Sequence, residues 1–99
     1  MSQTVIDATT GTTAIVAAVA GHHIVVEHYL LSAANSVVAT WKSATTAISG
    51  PLNLGPEGVI AAGYTEGLFQ TAVGEALNLT LSATVNVGGH VVTRTHRGI

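Results

Sequence analysis

An antiparallel β-sandwich or small barrel is the fold class that this 99-residue sequence predicts, and three observations predict it. Apolar and polar residues alternate with period 2 in several stretches, and those stretches are rich in β-branched side chains that suit a pleated surface. Turn signals recur at intervals of about eight to twelve residues. The expected product is about seven or eight short strands in one domain, because a chain of this length has no room for a second core.

Taken in order, residues 12–20 give the first strong strand signal, with Thr13, Ile15, Ala17 and Val19 on one parity and Ala14, Val16, Ala18 and Ala20 on the other. Gly21 ends that run. In residues 23–32 the positions Ile24, Val26, His28 and Leu30 alternate with Val25, Glu27, Tyr29 and Leu31, which predicts a strand covered on one face and mixed on the other. Asn35-Ser36 is the next turn. Residues 36–43 read as a half-buried strand, with Val37, Ala39 and Trp41 inward and Ser36, Thr40 and Lys42 outward.

After Ile48 the composition shifts to Gly50-Pro51, Gly55-Pro56, Gly58, Gly63 and Gly67, a structured loop region with short extended pieces. A helix over residues 59–77 is the competing reading. Gly63, Gly67 and Gly74 would each cost about 1 kcal/mol in a helix interior, so loop and strand are preferred. Leu77, Leu79 and Leu81 then alternate with Asn78, Thr80 and Ser82, and Val85 and Val87 continue the pattern. Gly88-Gly89 reads as a turn before a last strand over residues 90–96. No repeat of fixed period and no linker divides the chain.

Charge is the unusual quantity. Only 8% of residues are Asp, Glu, Lys or Arg, where soluble domains average about 25%. Lys42, Arg94 and Arg97 against a formal net charge of −2 make no basic patch for nucleic acid. At 47% hydrophobic residues and so few charges the chain is not of the disordered type. The absence of cysteine excludes disulfides, iron–sulfur clusters and thiolate zinc sites. The start of the chain lacks the basic region and apolar core of a signal peptide, and the apolar run at residues 14–20 is too short to span a bilayer. The expectation is a soluble protein made in the cytoplasm and not exported by its own sequence, with no membrane and no nucleic-acid partner.

No catalytic constellation assembles, so the expectation is no enzyme and no cofactor. The carboxylates Asp7, Glu27, Glu57, Glu66 and Glu75 are scattered, most of them beside glycine or turn signals, where acid–base chemistry needs two held together. There is no Gly-x-Ser-x-Gly elbow and no phosphate-binding glycine loop followed by lysine. Five histidines invite a metal reading. On one strand, however, His22 and His28 would stand roughly 20 Å apart at about 3.3 Å per residue, and His90 and His96 have the same difficulty. That leaves turn and surface histidines, with a composite site between strands or subunits as the alternative. Of four aromatic residues, Trp41 is expected in the core, and Tyr64, in the loop region, is the candidate for stacking on a ligand such as a glycan.

Four stretches carry a resemblance: Thr9-Thr10-Gly11-Thr12-Thr13 leading into an apolar strand; Gly21-His22-His23-Ile24-Val25-Val26; Trp41-Lys42-Ser43 followed by Ala47-Ile48-Ser49-Gly50-Pro51-Leu52; and residues 67–79, which read GLFQTAVGEALNL. Together they resemble, over about residues 9–95, the small β-rich structural proteins of tailed bacteriophages that decorate or cement a capsid shell. The likeness is one of rhythm and composition. It implies a jelly-roll-like sandwich on the outside of an assembled shell, bound to the major capsid protein and to its own copies as a symmetric oligomer, with a trimer the order expected at local threefold points. It implies no catalytic residue.

Low charge agrees with that implication, because interface cores are depleted in charged side chains. Residues 1–10 are expected to form an N-terminal arm, with Thr4, Val5, Ile6, Thr9 and Thr10 laid on a partner's sheet edge, and residues 11–99 the sandwich domain. The alternative function is a receptor- or glycan-binding module of a virion tail, fibre or surface, working through loops such as residues 56–69 and through Tyr64.

Overall fold

The structure is a computed structural model and describes residues 2–9, 11–64 and 67–97. The described chain is all-β. Its strands are β1 (Ser2–Ala8), β2 (Thr12–Val16), β3 (His22–Ala33), β4 (Val37–Ser43), β5 (Thr46–Ala47), β6 (Leu52–Leu54), β7 (Val59–Gly63), β8 (Phe69–Gln70), β9 (Leu77–Leu81) and β10 (Val87–Arg97). One antiparallel sheet runs β1-β10-β3-β7, with β8 also on β3; the other runs β2-β9-β4-β5, with β6 also on β4.

The pairings nest. β1 pairs with β10, β2 with β9, β3 with β7 and β8, and β4 with β5 and β6. Counting β5/β6 and β7/β8 as two interrupted edge strands gives four strand positions per sheet, the pattern of a doubled hairpin ribbon rolled into a sandwich. That is the jelly roll.

Alternation builds the core. In β4, Val37, Ala39, Trp41 and Ser43 point inward, and in β9 so do Leu77, Leu79 and Leu81. Register sets Ala39 opposite Leu81 and Trp41 opposite Leu79. The facing sheet contributes Ile6, Ile24, Val26, Tyr29, Leu31, Val87 and Val91, and Trp41 is fully buried among them. Tyr29, Trp41 and Phe69 form one aromatic cluster, with ring centroids 5.6–6.4 Å apart. These tilted contacts add to the area that the rings bury.

Three local expectations are revised. The strand expected over residues 12–20 stops at Val16, because its partner β9 begins at Leu77, which pairs with Val16 and leaves nothing further to bond with. Gly88-Gly89 is not a turn but lies inside β10, paired with β1 on one side and β3 on the other. Gly89 has φ +141, and a Cβ there would collide with the Leu30 carbonyl oxygen, so the glycine permits a close backbone approach in mid-sheet. Finally, residues 2–8 form the edge strand of the chain's own sheet, where an arm on a partner was expected. Ile6 (2% exposed) and Ala8 complete the core that β1 and β10 enclose, which fixes the segment in place.

Candidate docking face

The sheet holding β1, β10, β3 and β7 has one face on the core and one on solvent. Its register aligns the outward side chains in rows across four strands. Val5, His90, Leu30 and Ala61 make the central row; Gln3, Val92, His28 and Gly63 lie on one side, and Asp7, Gly88, Ser32 and Val59 on the other. Val5 is 76% exposed and Val59 63%. Asp7 is the only charged residue in these rows, where a solvated surface usually carries roughly a quarter to a third charged side chains. Three valines, a leucine, an alanine and two glycines share the face with Gln3, His28, Ser32 and His90, so it is nearly uncharged.

Of the other charged residues described, Arg97 ends β10 beyond these rows, and five more stand elsewhere. Glu75 accepts a 2.5 Å hydrogen bond from the Ser43 hydroxyl, and Ser43 in turn accepts from the Ala72 amide at 2.9 Å. Glu57 stands in the turn before β7 with φ +57, and Lys42 is on the opposite sheet. Glu27 and Arg94 lie on the same sheet as the rows but beyond them. Glu27 occupies a β-bulge, since Val92 pairs with His28 and Thr93 with Val26. It is buried (4% exposed), and its Oε2 accepts from the Arg94 Nε at 3.1 Å, while its Oε1 has no hydrogen-bond partner.

Two described residues of the strap of chain between β7 and β8 bond back to β3 beside that pair. Tyr64 donates its amide to the Glu27 carbonyl at 2.9 Å, and Leu68 donates to the Val26 carbonyl at 2.7 Å. Gly67, with φ +100, sits against the Val25 side chain where a Cβ would crowd it. Tyr64 itself remains 55% exposed at the start of the strap, whereas the other three aromatic residues lie in or against the core.

The histidines divide by position. His23 and His96 face each other across β3 and β10, with ring centroids 6.3 Å apart. The His23 Nδ1 donates to the Thr71 carbonyl at 2.7 Å, and the His22 Nδ1 donates to the Ala20 carbonyl at 3.0 Å. His28 and His90 belong to the outer rows. Among the described residues no three His, Asp or Glu side chains come together in a way that could hold a metal ion.

Of the residues expected to meet a partner, Val5 projects from the outer face, Thr9 is exposed and Thr4 half-buried. The Ile6 side chain belongs to the chain's own core. Thr10 lies outside the described residues. The outer face is not legible in the sequence. Its residues come from four segments far apart in the chain, and only the register joins them. Compared with protein-family models, with curated proteins and with solved structures, the chain matches none of them.

Proposed function

We propose that this chain is a structural, non-enzymatic virion protein that binds the outside of a bacteriophage capsid as a decoration protein, contacting the major capsid protein and further copies of itself in a symmetric assembly. The observation that carries the reading is the nearly uncharged outer face of the β1-β10-β3-β7 sheet, with Val5 and Val59 largely exposed on it. A sheet face with a single charge and exposed valines suits a broad protein surface better than a small molecule. The jelly-roll topology and the stretches that resemble decoration proteins support the same reading.

A second reading has one observation in its favour. Tyr64 is a single exposed aromatic ring at the edge of the strap, a position from which it could stack on a sugar. Cryo-electron microscopy of the native particle separates the two. The decoration reading expects density for the domain in many copies over the shell, with the outer face turned toward it, and Ala61→Lys abolishing occupancy while Tyr64→Ala leaves it intact. A few copies at a tail or fibre tip, or glycan retention that depends on Tyr64, would overturn it in favour of the second.

A further inference from the structure

The sandwich has four edges, and three of them are blunted in the ways that prevent edge-to-edge pairing. The β2 edge carries a register shift between Ala14 and Val16. The β5/β6 edge is broken into pieces of two and three residues around Gly50-Pro51. The β7/β8 edge is made of two short strands, of five and two residues, that end at Gly63 and resume at Phe69. β1 differs from all three. It pairs with β10 through seven consecutive residues without a shift, and it contains no proline, lysine or arginine. No hydrogen bond is made along its outward side by any described residue.

We propose that β1 pairs with β1 of a second copy of this chain about a twofold axis through Val5, making one continuous sheet from two sandwiches. An antiparallel pairing that uses the whole strand sets Ser2 opposite Ala8 of the second copy, and it therefore sets Val5 opposite itself. The same register sets Thr4 opposite Ile6, which keeps the core-facing positions on the core side of both copies; a slip of one residue would set core-facing positions against outward ones. On the outer face the most exposed large hydrophobic side chain, Val5 at 76%, meets its own equivalent and leaves water. Gln3 meets Asp7 of the second copy on either side of it, so the one charge on the strand faces an amide donor and never another carboxylate. This self-complementarity is what an isologous contact requires.

The pairing does not depend on the capsid reading, and it supplies a twofold contact where the resemblance implied a threefold one. A seven-residue edge buries less than the roughly 1,000 Å² expected of a permanent interface, so association is concentration-dependent. Sedimentation velocity of the full chain over a concentration series tests it. The wild type should pass from monomer to dimer, and Val5→Lys, which sets two like charges on the axis, should weaken dimerisation by about tenfold or more while circular dichroism stays unchanged. Because the sequence lacks cysteine, Val5→Cys reads the contact independently of that variant. Under mild oxidation it should give a covalent dimer, since opposed residues of an antiparallel pair lie about 4.5–5.5 Å apart at Cα. Val59→Cys, on the opposite edge, should not. A wild type that stays monomeric throughout, an oligomer that withstands Val5→Lys, or cross-linking no faster at position 5 than at 59 would each overturn the proposal, whatever the chain binds on a shell.

Discussion

Trp41 concentrates the energetics of the core in one side chain. It is fully buried, it meets Tyr29 and Phe69, and its indole N–H has no hydrogen-bond partner. The ring area stabilises the fold and the unpaired donor opposes it. Trp41→Ala should therefore cost about 3–5 kcal/mol in chemical denaturation, and Trp41→Phe well under half of that, because it keeps most of the ring and removes the orphan donor. Neighbouring Tyr29 gives a pH signature. Burial raises its phenol above the ordinary value near 10.0, so above pH 10 the unfolded chain loses a proton that the folded chain retains. Stability is unaffected below pH 10 by this group and declines as pH rises through the gap between the two values. Melting temperatures measured from pH 8 to pH 11.5 should show that decline in the wild type, and Tyr29→Phe should remove this group's share of it.

At the scale of the element, β3 shows what the sequence revealed and what it hid. The alternation in β4 and β9 was legible because neither strand is bulged and each has one face on the core. The strand over residues 23–32 was equally legible as a strand, but its inner face was not. Ile24 and Val26 point inward, and after the bulge at Glu27 so do Tyr29, Leu31 and Ala33, so the parity changes in mid-strand. Apolar residues on both parities conceal the switch, and the sole sequence signal is a carboxylate set in an otherwise apolar run. Gly88-Gly89 misled for the opposite reason: glycine that relieves a close backbone approach reads, in one dimension, like glycine that turns a chain. The bulge makes an unusual prediction. Deleting Glu27 restores a regular strand with the same inward set, and removes the buried carboxylate together with its bond from the Arg94 Nε. That variant should still unfold cooperatively, at a lower temperature for loss of the strap's anchor. Deleting Leu30 instead turns Leu31 and Ala33 outward, and thermal melts followed by circular dichroism should show no cooperative transition.

For the molecule as a whole, nesting sets β1 beside β10, so the first and last strands described share one sheet. The folded chain exposes 5187 Å², close to the roughly 5,000 Å² expected at its mass, so eight charged residues are spread over an ordinary area of surface. Those among the described residues are not spread evenly. Glu27 with Arg94 and Glu75 with Ser43 are held in internal contacts, Lys42 is on the opposite sheet, and the rows joining β1, β10, β3 and β7 retain Asp7 alone. On the proposed reading, docking through that face would draw its free energy from buried apolar side chains, which salt does not screen at moderate ionic strength. A binder that works by neutralising charge behaves otherwise, losing affinity steeply and log-linearly as salt rises. Binding of the purified chain to bare shells, measured by co-sedimentation between 50 and 500 mM NaCl, should thus change by less than about threefold. Leu30→Lys, in the central row, should both weaken it and introduce a salt dependence that the wild type lacks. A wild-type affinity that falls by orders of magnitude over the same range would assign the contact to the few charged groups elsewhere on the surface, and would remove the outer face from the docking interaction.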